Sequence, residues 1–244
     1  MTLALLLCAG LAWGQEPGAA PVGPALSSLA AAGTETEVAS AVRWIVMLTS
    51  LSLVPGLMLL MTPFTRFVIV LSLLRQALGL QQSPPNQVLI GLSLILSMAV
   101  MQPTLDQVKH DALDPFLEGK IDTGTAYQAA MTPMRAYMLA HTRRDELQTA
   151  IKVARIERPE TLEALPSSVV VTGYVLSELE SAFVTAVKVY LPFLVVDLVV
   201  ASILLGTGMM MLPPVVISLP FKLLLFVLMD GWTLLVLGLT GAAR

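Results

Sequence analysis

Residues 197–232 read DLVVASILLGTGMMMLPPVVISLPFKLLLFVLMDGW. Two apolar runs flank a break made of Gly206, Gly208, Met209, Met210, Met211, Pro213 and Pro214. From Ser181 to Ala243 the only charged side chains are Lys188, Asp197, Lys222 and Asp230. Carrying such a charge to the middle of a bilayer costs roughly 2.5–3.5 kcal/mol on insertion scales. Each must therefore be paired, or face protein or a watery cavity.

Taking the break as the tip of a helical hairpin sets these charges against one another. Asp197 lies 13 residues before Met210 and Lys222 lies 12 after it, while Lys188 lies 22 before and Asp230 lies 20 after. An antiparallel hairpin thus brings each acid near the level of a base. Lys188 and Asp197 are about 180° apart around a straight helix, so both can face one partner only if Pro192 kinks the segment. One pair is then expected within the hairpin and the other between subunits. A second reading of Lys188 and Asp230 is that they snorkel to the interface from the helix ends.

Methionine is flexible and polarizable and moulds around irregular partners. Three in a row cannot share one helical face. With glycines before and prolines after, the tip reads as a loop or broken helix, which membrane depth permits only inside protein or along a cavity. Met209, Met210 and Met211 are read as a pore-facing constriction, with ordinary core filling as the alternative. Gly206 and Gly208 lend the loop freedom, and Pro213 and Pro214 limit it on the far side.

The whole chain fits this setting. Of its 244 residues 56% are hydrophobic and 13% charged, where soluble domains carry about 25% charge. The formal net charge of −3 argues for neither an acidic nor a basic partner, and no basic patch with interleaved aromatics points to nucleic acid. Residues 1–14 read as a secretory signal, an apolar stretch followed by the small-x-small site Ala12-Trp13-Gly14; it contains the single cysteine, Cys8. Residues 15–42, rich in Ala, Gly and Pro up to Ser40, read as a flexible periplasmic segment.

Residues 43–105 form the first hydrophobic block. Between Trp44 and Leu105 its only charges are Arg66 and Arg75. The uncharged run Trp44–Thr62 is long enough to span a membrane, with Pro55-Gly56 and Pro63 expected to interrupt or bend it. Ser83-Pro84 reads as an N-cap and first helical residue, and small residues along Val88–Met101 suit close helix packing. Arg66 and Arg75 place this connection on the cytoplasmic side.

Residues 106–180, with 12 acidic and 8 basic side chains, read as a polar periplasmic insertion, since one crossing and one return after a cleaved signal put them on the exported side. An amphipathic helix is expected from Thr132-Pro133 to about Ala154. Ser177-Glu178-Leu179-Glu180 has the pattern of a capping box and is read as the start of the second hydrophobic hairpin, residues 181–244.

Chemistry is sparse. His110 and His141 are the only histidines, and neither has a second ligand at metal spacing. No nucleophile elbow or phosphate loop occurs. Asp197 and Asp230 each have a lysine of opposite sign at hand, which favours the ionised state over a shared-proton dyad. No enzyme, metal or cofactor is expected.

The stretches Met61–Leu80 (MTPFTRFVIVLSLLRQALGL), Pro84–Asn86 (PPN), Gly206–Pro214 and Leu219–Trp232 (LPFKLLLFVLMDGW) together resemble the FliP family, found in flagellar and virulence-associated type III export gates. The likeness runs from about Trp44 to Trp232. It implies an all-α, membrane-associated, ring-forming subunit of helical hairpins with a polar, mainly helical insertion. It also implies assembly in about five copies around an axis with FliQ and FliR, near FlhA and FlhB. The setting would be the flagellar basal body at the bacterial inner membrane, in contact with lipid and partly periplasmic. Unfolded flagellar subunits would be the cargo. Hairpins in the family spiral partly above the bilayer plane, so a simple four-span topology is not implied. Two other classes fit the residues alone: a small-solute or ion transporter with a broken binding helix, and a non-conducting assembly scaffold.

Overall fold

A computed structural model describes residues 35–80, 83–157, 161–209 and 212–241. They form helices and short turns, with no strand among them. The expected signal peptide and most of the expected flexible segment lie outside these residues. The chain divides into two bodies, residues 1–54 and 55–244.

Helix α1, Glu35–Leu60, begins inside the segment expected to be flexible and runs through Pro55 without a break. A proline removes one backbone donor, a loss that helices in apolar surroundings absorb. Its apolar side chains, Trp44, Ile45, Met47 and Leu48 among them, are exposed, and Ala39–Leu60 is long and apolar enough to cross a membrane.

In the second body, α2 (Phe64–Ala77) is the central post. Phe67, Val70, Leu71 and Leu74 follow the i, i+3, i+4, i+7 spacing of one helical face, and all are buried. They pack against Leu89 of α3 (Asn86–Val108) and against Ala182, Ala186 and Phe193 of α7 (Ser167–Gly206). Phe226 of α8 (Pro214–Leu228) and Leu235 and Leu239 of α9 (Gly231–Gly241) complete this core. The PPN stretch closes the α2–α3 turn, where Arg75 Nη1 donates to the Pro84 carbonyl (3.1 Å) and to Asn86 Oδ1 (2.8 Å). Helix α3 starts at Asn86, after Pro85 rather than at Pro84. It continues through a π turn, Lys109–Leu113, into α4, Asp114–Leu117. The change in composition at Leu105–Asp106 therefore falls inside a helical run and marks polarity, not a joint.

The insertion differs from its expected form. In place of one helix from Thr132 to Ala154 there are two, α5 (Thr123–His141) and α6 (Arg144–Ala154). Asp122 caps α5 by accepting from the amides of Gly124 (3.1 Å) and Thr125 (3.4 Å), and it also accepts from the Thr125 hydroxyl. Pro133 is interior and buried. The chain turns at Thr142 and Arg143, both extended. Ser177 explains the turn: its hydroxyl donates to the His141 carbonyl (3.2 Å) and accepts from the Arg143 amide (3.1 Å). The serine expected to open a helix lies inside the 40-residue α7 and serves the ends of α5 and α6 instead. A second core, Met138, Leu147, Ala150, Leu165, Val169, Val170 and Tyr174, joins these helices to α7.

Asn86–Leu117 and Ser167–Gly206 are also long and apolar enough to span, and α8 with α9 is a pair bent by 65° that passes the same test together.

Candidate functional site

Helices α7 and α8 are the arms of the hairpin, and their charges converge on α2. Lys222 Nζ lies 2.6 Å from Asp197 Oδ2 and donates to the Ala77 carbonyl at 2.9 Å. Asp197 Oδ1 accepts from Ser218 Oγ at 2.5 Å. The lysine side chain is 4% exposed and the aspartate 34%. One ammonium thus links three elements. It pairs with α7, rises from α8, and neutralises a carbonyl at the C-terminal end of α2, where the helix dipole is negative.

The tip follows from backbone chemistry. Gly206 is the last residue of α7. Gly208 has φ +77. Its amide donates to the Leu205 carbonyl (3.2 Å), and the Met209 amide donates to the Leu204 carbonyl (3.0 Å), the paired bonds of a Schellman cap, in which glycine takes the left-handed position without Cβ strain. On the other side Pro213 precedes α8 and Pro214 is its first residue, where proline's missing donor costs nothing. Met209 is half exposed; Met210 and Met211 lie outside the described residues.

The outer charges are arranged differently. The ion pairs of the described residues include neither Lys188 nor Asp230. Asp230 holds the α8–α9 corner at φ 50, a conformation that aspartate accepts better than most residues. The next residue must be small, because a Cβ on Gly231 would stand 2.2 Å from the Phe226 ring.

Sequence reading missed a buried pair. Arg66 Nη2 lies 2.5 Å from Glu178 Oε1, and both side chains are 2% exposed. The bond ties α2 to α7 across 112 residues. Arg66, read as a topology charge facing the cytoplasm, has its charge committed inside the fold. The available signal was a pair of unanswered arginines, Arg66 and Arg75, in one apolar block and two acids, Glu178 and Glu180, at the edge of another. Tyr137 and Tyr174 stand beside this pair, with ring centroids 6.1 Å apart. Burial, and then the Glu178 charge, push the Tyr137 phenol up to about 12. Among the described residues no group of His, Cys, Asp and Glu could hold a metal ion.

Residues 47–239 match the FliP family. The chain is 47% identical over 200 residues to the flagellar biosynthetic protein FliP of Bacillus subtilis, covering 82% of this chain and 90% of that one. It is 44% identical over 207 residues to the protein of the same name from Aquifex aeolicus, covering 84% and 87%. To the one from Pectobacterium carotovorum it is 44% identical over 235 residues, covering 96% and 88%.

Proposed function

The chain belongs to the FliP family, and from that premise we propose that it is a pore-forming subunit of the flagellar protein export gate. Copies of the hairpin, about five by the family resemblance, surround an axis together with FliQ and FliR and in contact with FlhA and FlhB. They lie at the inner membrane with a periplasmic portion and pass unfolded flagellar subunits. The tip formed by Met209, Met210 and Met211 is the gasket. A ring of thioethers closes by contact and dewetting, then deforms around any side chain that passes, with no recognition required.

The observation that carries this reading is the pairing of an arm braced by a buried ion pair with an exposed Met209 where that arm ends. Lys222 binds α8 to α2 through the Ala77 carbonyl and to α7 through Asp197, while Met209 lies exposed beyond a closed helix cap. A gate needs that combination of fixed frame and compliant lip. Replacing the three methionines by alanine should raise ion leak while export continues. Unchanged ion tightness together with unchanged export would reject the gasket.

A further inference from the structure

We infer that a polar cavity beside α7 binds the phosphate of an anionic membrane lipid. The cavity has a volume of about 310 Å³ and opens between α2, the α5–α6 corner and α7. Its walls include Arg66, His141, Arg143 and Lys188, with the hydroxyls of Ser181 and Thr185 between them. Among the described residues no acidic side chain lines it.

The charges around it do not cancel. Arg66 is paired with Glu178, and Arg143 Nη1 with Glu180 Oε1 at 2.5 Å. Lys188 has no ion pair among the described residues, so the pocket carries a surplus positive charge. Arg66 donates to Glu178 through Nη2 alone; among the described residues its buried Nε and Nη1 find no partner, nor does the one buried Glu178 oxygen, Oε2, so two donors stand against one acceptor. Ser181, Thr185 and Lys188 fall at i, i+4 and i+7 and so share one face of α7. Hydroxyl donors beside several cations match the chemistry of an oxyanion with multiple acceptors, since charge-assisted bonds are the strong ones. The volume lies at the lower end of small-molecule sites and is about ten times a water's share of liquid volume. That is more room than one carboxylate from a neighbouring side chain would fill.

The surface beyond Lys188 identifies the source of the phosphate. Val184, Lys188, Leu191 and Val195 form a single stripe, and its apolar members are exposed. No further charge appears along α7 until Asp197. A lipid whose headgroup rests between Thr185 and Lys188 can lay its acyl chains along Leu191 and Val195.

The test is native mass measurement of the detergent-extracted complex with three probes: phosphatidylglycerol, the diacylglycerol with the same chains, and inorganic phosphate. Phosphatidylglycerol should be retained and diacylglycerol should not. Lys188→Gln should lower lipid occupancy about five-fold, the effect of one lysine near an anionic surface. Thr185→Val should weaken retention, and Lys152→Gln, an exposed control on α6, should leave it unchanged. Equal loss from Lys188→Gln and Lys152→Gln overturns the proposal, as does equal retention of diacylglycerol. Displacement of the lipid by inorganic phosphate at comparable concentration overturns the lipid source. Capture of Asp230 from a second copy by a cross-linker at position 185, with no lipid retained, makes the cavity a subunit contact instead. Occupancy is read on purified complex, and the gasket on ion leak, so either reading can fail without the other.

Discussion

Replacing Asp197 by Asn should damage the fold more than replacing Lys222 by Met, although both break the same ion pair. The reason is the difference in burial. Lys222 is almost wholly enclosed, while about a third of the Asp197 side chain is exposed. Asp197→Asn leaves a buried ammonium whose remaining strong acceptor is the Ala77 carbonyl. Stranding a buried charge costs about 3–5 kcal/mol, and that carbonyl keeps the value near 3. Lys222→Met leaves a carboxylate that solvent reaches and that still accepts from Ser218, so the loss is roughly 1–2 kcal/mol. The double variant Asp197→Asn with Lys222→Met carries no buried charge and should lie between the wild type and Asp197→Asn. For a chain of this size each kcal/mol moves Tm by about 2–4 °C. Asp197→Asn should therefore lower Tm in detergent by roughly 6–12 °C and Lys222→Met by roughly 2–8 °C. Equal losses in the two single variants, or a double variant worse than Asp197→Asn, would refute a buried charge as the cause.

The exchanged pair Asp197→Lys with Lys222→Asp should recover little, because it sets a carboxylate against the Ala77 carbonyl; recovery of assembly to wild-type level would show that the carbonyl contact is dispensable. Gly231→Ala should destabilise strongly through the clash with Phe226, and adding Phe226→Leu should restore part of the lost Tm. Gly208→Ala meets no neighbour within 4 Å, so it should cost only the left-handed backbone term, about 1–2 kcal/mol, visible as a small Tm shift with assembly intact. Hydrogen bonds from Thr125 and then Gly124 hold the Asp122 carboxyl below its usual range. Its support of α5 is therefore full above the ordinary carboxylate pKa and is lost as pH falls through the lowered folded value. Amide exchange at Gly124 and Thr125 should accelerate in that acid window, and Asp122→Ala should abolish the pH dependence. Replacing Arg66 and Glu178 together by methionine should be near neutral, whereas either change alone should cost about 3–5 kcal/mol, read as the yield of folded chain.

Local and compositional features were legible from the residues. Long apolar runs with few charges point to helices, in which every backbone group can bond within its own segment. The break at Gly206–Pro214 was legible because glycine and proline act through their own dihedral angles, although Gly208, read as lending freedom, closes a helix cap instead. The hairpin registration of Asp197 and Lys222 was countable from the tip, because an antiparallel pair has a single free parameter. The remaining contacts depend on how the helices pack. Ser177 has the pattern of a cap in any chain, but which helix end it serves depends on what lies across from it, and here that is the α5–α6 turn. Arg66 and Glu178 stand 112 residues apart, and no periodicity relates them. That Lys222 also answers the Ala77 carbonyl follows from α2 ending beside α8. Spacing along a chain sets angles around one helix, but partners across three helices are set by packing.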